Sequence, residues 1–161
     1  MTMQIQPYDT NHLDAVIRLS LRAWAPVFDS IQSIMNPDVY REFYPDDWRV
    51  NQQKAVEDLC AEEDTHVWVA IEDASTVGFV AVRLHPDSKM GEIYMIAVDP
   101  DYQRRGIGTA LTNFAFDWMK NAGMSVVMVE TGGDPGHSPA RRTYEKAGFD
   151  LLPIARYFKK L

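Results

Sequence analysis

Apolar residues recur along this chain with two different periods. Leu13, Val16, Ile17, Leu21 and Trp24 fall at helical spacing, and Asp9 and Thr10 just ahead of them carry capping side chains. The spacing predicts a helix over about 10–24, ended by Pro26. Before it, Met3–Gln6 alternates and predicts a short first strand. Residues 27–45 are rich in aromatics and interrupted by Pro37 and Pro45, which predicts short helices and loops. Trp48–Glu62 follows as a helix with Val56 and Leu59 inward. The period then changes. Thr65–Ile71, Val77–Leu84 and Glu92–Val98 are dense in β-forming residues and separated by turn-like segments at 72–75 and 85–88. They predict three antiparallel strands in a meander. Ile107, Leu111, Phe114, Ala115 and Trp118 restore a helical stripe, ended by 121–123. Ser125–Glu130 predicts a strand, Pro139–Lys146 a short helix closed by Gly148, and Phe149–Tyr157 one or two final strands. The order gives an α+β fold with one mixed central sheet flanked by helices.

Composition narrows the function. A chain of 161 residues fits one domain over 1–161. Sixteen Lys and Arg against 23 Asp and Glu leave a net charge of −7. An acidic surface argues against a nucleic-acid partner, which calls for a basic face. It suits a cationic substrate, and it equally serves solubility. Cys60 is the single cysteine, so no internal disulfide and no cysteine-cluster metal site is expected. No segment reaches the roughly 18 continuous apolar residues of a membrane span. Met1–Ser20 has no apolar core of the signal-peptide kind, so the expected compartment is cytoplasmic.

The stretch Val98–Thr109 leads from a strand into an amphipathic helix. Unpaired amides and the positive dipole end make a helix N-terminus an anion site. Gly106 and Gly108 keep side chains away from those amides, and Arg104 and Arg105 add charge beside them. The set describes a pyrophosphate cradle. It is not the phosphate loop of ATPases, because Gly-x-x-x-x-Gly-Lys-Ser/Thr is absent. It is not a dinucleotide fingerprint either, because Leu111 stands where the third glycine belongs.

Ala97-Val-Asp-Pro-Asp-Tyr-Gln-Arg-Arg-Gly-Ile-Gly108 resembles motif A of the GCN5-related N-acetyltransferases. Ala140-Arg-Arg-Thr-Tyr144-Glu-Lys-Ala-Gly-Phe149 resembles motif B of the same family. The resemblance covers residues 66–149. It implies the family's acyl-CoA N-acyltransferase fold, with acetyl-CoA lying where two neighbouring parallel strands splay apart. By position these are Glu92–Val98 and Ser125–Glu130. The backbone of Ile96, Ala97 and Val98 then bonds the pantetheine arm as an added strand would. Gln103, Arg104, Arg105, Gly106, Ile107, Gly108 and Thr109 hold the pyrophosphate, and an amide near Ala97 or Val98 polarises the thioester carbonyl. No metal is required.

The resemblance also implies roles for side chains. Tyr144 is the general acid that reprotonates the CoA thiolate. Glu130, ending one splayed strand, or Glu92, beginning the other, takes the proton of the attacking amine, directly or through a water. The family often has Asn seven residues before this tyrosine. Here His137 stands there, and it contacts the CoA arm, takes a proton, or caps the helix. Trp24, Phe28, Asp29, Tyr40, Tyr44, Trp48, Arg156, Tyr157 and Phe158 bound the acceptor side, or form core. The expected activity is acetyl transfer from acetyl-CoA to a primary amine by direct transfer in a ternary complex. The acceptor is a small molecule or peptide, or alternatively a protein N-terminus or lysine. The rival expectation is a catalytically silent CoA-binding sensor or interaction module. An unpaired edge or the exposed aromatics suit a homodimer, as in many members of the family.

Overall fold

Five strands pair in chain order into one sheet: β1 (Gln4–Pro7), β2 (Thr65–Glu72), β3 (Ser75–His85), β4 (Met90–Val98) and β5 (Val126–Val129). The computed structural model describes residues 2–161. β1 to β4 run antiparallel, and β5 joins β4 in parallel, so the sheet is mixed as its pattern predicts. The helices are α1 (Leu13–Ile34), α2 (Pro37–Phe43), α3 (Trp48–Ala61), α4 (Ile107–Asn121) and α5 (Ser138–Lys146). None is long and apolar enough to cross a membrane.

The chain divides into two compact units. One combines the residues up to Ala23 with Gln52–Glu130, and so holds the sheet and α4. The other combines Trp24–Asn51 with Thr131–Leu161, and so holds α2 and α5.

In the sheet unit, β2 and β3 are apolar on both faces. Val69, Phe79, Val80 and Val82 are fully buried. Ile107, Leu111, Ala115 and Met119 of α4 pack over β3 and β4. Phe114 and Trp118 from the same predicted stripe are half-buried instead. Their rings meet Trp68 edge-on at 5.2 and 4.7 Å. The N-terminal turn is capped as expected: Asp9 accepts from the Asn11 amide at 2.8 Å, and His12 Nδ1 accepts from the Asp9 amide. In the other unit, Phe28 stacks on Trp48 at 4.4 Å, and both are 5% exposed. Of the aromatics assigned to an acceptor wall, these two are core.

Three expectations fail for physical reasons. Pro26 does not end the first helix but lies inside it. A proline there removes one hydrogen bond and crowds the carbonyl four residues back, a cost of about 3 kcal/mol. Leu19 before it and Phe28 after it are both buried, and that burial outweighs the local break. Residues 27–34 consequently continue α1 and do not start a separate short helix or loop. Phe149–Tyr157 forms no strand. Pro153 lacks an amide, and no ladder partner faces the segment among the described residues. Leu151, Leu152, Ile154 and Tyr157 stay exposed, while Phe158 meets Phe43 edge-on at 5.1 Å and Lys160 pairs with Glu42.

Candidate functional site

The parallel pair β4–β5 is short. β5 faces only Met90–Ile93, and Tyr94–Val98 continue without a partner on that side among the described residues. A bulge sits where the pairing stops. Val82 faces Ile93 while the next residue, Ala81, faces Met95, which leaves Tyr94 as the extra residue. Bulges of this kind bend a strand and end pairing. The Arg83 guanidinium covers the Tyr94 ring at 3.5 Å and holds it outward.

Strand alternation decides which backbone groups the open edge presents. The Asp99 amide donates to the Val77 carbonyl at 2.8 Å, so Asp99 faces β3. Neighbouring residues point their polar groups to opposite edges. Ala97 therefore faces β3 as well, and Val98 and Ile96 face the open edge. Of the three backbone positions expected to meet a pantetheine arm, Ala97 is committed to the sheet. The Val98 carbonyl accepts from Gln103 Nε2 at 3.1 Å, which fixes the loop to the strand end.

That loop is held by bonds within the chain. Asp99 accepts from the Asp101 amide at 2.9 Å and opens a single 3-10 turn, Pro100–Tyr102. Arg22 of α1 grips both carboxylates, at 2.7 Å from Asp99 and 3.1 Å from Asp101. Arg104 at φ +60° and Gly106 at φ +83° then turn the backbone through the left-handed region. An arginine held there stores on the order of 1 kcal/mol. Gly106 caps α4 with no side-chain hydrogen bond, and the first backbone bond runs from the Ala110 amide to the Gly106 carbonyl. The amides of Gly106, Ile107, Gly108 and Thr109 are thus the helix's unpaired donors. A side-chain carbon at Gly106 would meet nothing within 4 Å, and one at Gly108 would meet only Val98 at 3.7 Å.

The two arginines of this loop differ. Arg105 Nη2 donates to Glu72 Oε1 at 2.6 Å, so its side chain is not the free charge that the sequence suggests. Arg104 makes no hydrogen bond or ion pair among the described residues. Arg141 and Arg142, near the second motif, are also engaged. Arg141 donates to the Gly132 and Asp134 carbonyls, and Arg142 to the Ser138 hydroxyl.

Glu92 lies in the paired half of β4, opposite Met128, and meets His85 Nε2 at 2.9 Å. It stands four and six residues before Ile96 and Val98, about 13–20 Å along the strand. His85 and Glu92 lie seven residues apart and meet across the turn between β3 and β4. Glu130 is exposed, one residue past β5.

The second unit carries Tyr144 and His137. His137 stands at the N-cap of α5 but makes no capping bond. Its Nδ1 is bonded instead to Asp134. Asp134 also accepts from the Ser30 hydroxyl at 2.6 Å and the Gly136 amide at 3.1 Å. Burial raises the acid's pKa, but the bonds from Ser30 and His137 outweigh it, so the net shift is downward from 3.8. A carboxyl shifted down stabilises the fold above its unfolded pKa and loses that contribution as pH falls through the folded value. Amide-exchange protection at Gly136 should therefore hold above about pH 4 and decline below it, and Asp134→Asn should remove that dependence. Tyr144 is half-buried on α5 and meets Phe149 edge-on at 5.7 Å. Burial pushes its phenol above the ordinary value of 10. The Phe149 amide returns to the Tyr144 carbonyl at 3.1 Å and the Gly148 amide to that of Glu145, with Gly148 at φ +97°. This left-handed closure orders the helix end that bears the tyrosine.

Sequence reasoning missed Arg22, Ser30, Glu72 and Asp134. Glu72 falls in the turn-like segment 72–75, and its partner Arg105 lies 33 residues further on.

Known proteins resemble this chain in sequence and in fold. The model of the Acetyltransferase (GNAT) family matches residues 31–149. The mycothiol acetyltransferase of Actinosynnema mirum is 33% identical over 139 residues, covering 84% of this chain and 40% of that protein. The chain spans well under half the length of the curated relatives it matches. The ribosomal-protein-S18-alanine N-acetyltransferase from Escherichia coli superimposes with a TM-score of 0.71 at 22% identity, over 96% of this chain and 82% of that one. The paia N-acetyltransferase from Thermoplasma acidophilum, solved in complex with coenzyme A, gives 0.69 at 18% identity, over 96% and 94%.

Proposed function

Because the chain belongs to the GNAT acetyltransferase family, we propose that it moves an acetyl group from acetyl-CoA to a primary amine of a small molecule or peptide, by direct transfer in a ternary complex. We read residues 1–161 as one N-acetyltransferase domain, and a family match that runs through both units supports this. One observation carries the acetyl-CoA reading. An open backbone edge at Ile96 and Val98 leads directly into an uncapped helix N-terminus at Gly106. The first suits an amide-bearing arm and the second a pyrophosphate.

In this reading the residues divide the work. The Val98 amide, turned to the open edge, supports negative charge on the thioester oxygen. Ile96 lends its backbone to the arm. The Gly106–Thr109 amides hold the pyrophosphate, with Arg104 as the adjacent free cation and Gln103 and Arg105 shaping the loop. A glutamate takes the proton of the attacking amine, directly or through a water. Glu130 is favoured over Glu92, because Glu92 lies in the closed half of β4 against His85. Tyr144 returns a proton to the departing thiolate. His137 keeps its Nδ1 on Asp134, which leaves its Nε2 to contact the CoA arm. The relatives' names differ, mycothiol acetyltransferase in one and ribosomal-protein-S18-alanine N-acetyltransferase in another, and the reading commits only to the amine.

Saturating acetyl-CoA should raise the unfolding free energy by about 2.7 kcal/mol at a hundredfold excess over Kd. A melting temperature that does not move with acetyl-CoA contradicts the reading. Glu130→Gln should lower kcat roughly hundredfold with the acetyl-CoA KM retained, whereas Glu92→Gln should leave turnover within about twofold. Full turnover in Glu130→Gln removes Glu130 from the base role.

A further inference from the structure

A carboxylate is an unexpected neighbour for an anion site, yet one is built into the wall of this loop. Glu72, the last residue of β2, is 6% exposed. It follows a register irregularity between Ala70 and Ile71. A carboxylate buried to that degree needs a cation, and its partner is Arg105, at 2.6 Å. The same guanidinium lies 5.2 Å from the centre of the Tyr102 ring. One arginine therefore ties the end of β2 to the turn that opens the loop. It does so one residue before the glycine that caps α4. Its neighbour Arg104, exposed and at φ +60°, has no such bond.

We propose that Glu72 and Arg105 form a positioning pair for the pyrophosphate loop. Glu72 withdraws the Arg105 side chain from the ligand and sets the backbone that aims the α4 amides, and Arg104 is the loop's phosphate-facing cation. The inference rests on the acetyl-CoA reading and deepens it. It reverses the simple electrostatic expectation. A negative charge beside an anion site weakens binding through space, so its removal should tighten CoA. If the carboxylate instead holds the loop in shape, its removal should weaken CoA.

Titration calorimetry with CoA at several salt concentrations separates the two. It is run on the full chain, Glu72→Gln, the double variant Glu72→Gln with Arg105→Gln, and Arg104→Gln. Glu72→Gln should bind CoA roughly tenfold more weakly, the scale of one charged hydrogen bond. The double variant should lose no more than about a further twofold. It should also keep the wild-type slope of log Kd against log salt, because no phosphate contact has been removed. Arg104→Gln should flatten that slope. The double variant leaves neither charge without its partner, so it decides the question even if Glu72→Gln alone does not fold. CoA binding in Glu72→Gln equal to or tighter than wild type overturns the proposal, as does a flattened slope in the double variant. A wild-type chain that binds no CoA overturns the acetyl-CoA reading and the inference with it.

Discussion

Tyr144→Phe is expected to lower kcat roughly hundredfold while the acetyl-CoA KM stays within about twofold, the signature of a group needed when the thiolate leaves and not when the substrate binds. The phenol is half-buried, and burial holds its pKa above 10. It is therefore protonated across the working range and has a proton to give. Phenylalanine keeps the ring and its edge-on contact with Phe149, so stability should change by less than about 1 kcal/mol. A variant with normal turnover removes Tyr144 from catalysis. A variant that loses acetyl-CoA binding instead assigns the ring to the cosubstrate.

Gly106→Val should act on binding and leave the rest of the fold nearly intact. Affinity for CoA is expected to fall roughly hundredfold, about 2.7 kcal/mol. Gly106 stands at φ +83°, where a β-branched residue is strained by about 1–2 kcal/mol. A side-chain carbon built there meets nothing within 4 Å, so the protein itself offers no clash. The strain is expected to pull the helix amides out of aim. Calorimetry with CoA, alongside a urea titration, reads both effects. Unchanged affinity would mean that the pyrophosphate binds elsewhere.

Periodicity revealed most of the fold. The meander, α4 and the mixed sheet follow from residues whose burial in the structure matches their spacing, Val69, Phe79 and Leu111 among them. The errors arise where a local signal met a non-local force. Pro26 reads as a stop, but Leu19 and Phe28 are buried on either side of it. The apolar run after Phe149 reads as strand, and strand requires a partner that spacing does not supply.

The candidate site was legible to the same extent. Glycines and an uncapped helix start are local features, and the loop at 98–109 stands where they indicate. The partners of its charges are not local. Arg105 looks free until Glu72, 33 residues earlier in the chain, is placed beside it. His137 looks like a cap until Asp134 turns toward its ring. Which backbone groups the edge presents depends on the bulge at Tyr94 and on one bond from Asp99 to Val77, and neither is written in composition or spacing.

Thiol release from acetyl-CoA, measured across a panel of amines, tests the account most directly. The panel spans peptide N-termini, lysine, polyamines, amino acids and aminoglycosides, with the product identified by mass. The expected result is release that requires both acetyl-CoA and one class of amine, with an acetylated amine formed in equal amount. Binding of acetyl-CoA with no thiol released on any amine would contradict transfer and leave a sensor of CoA.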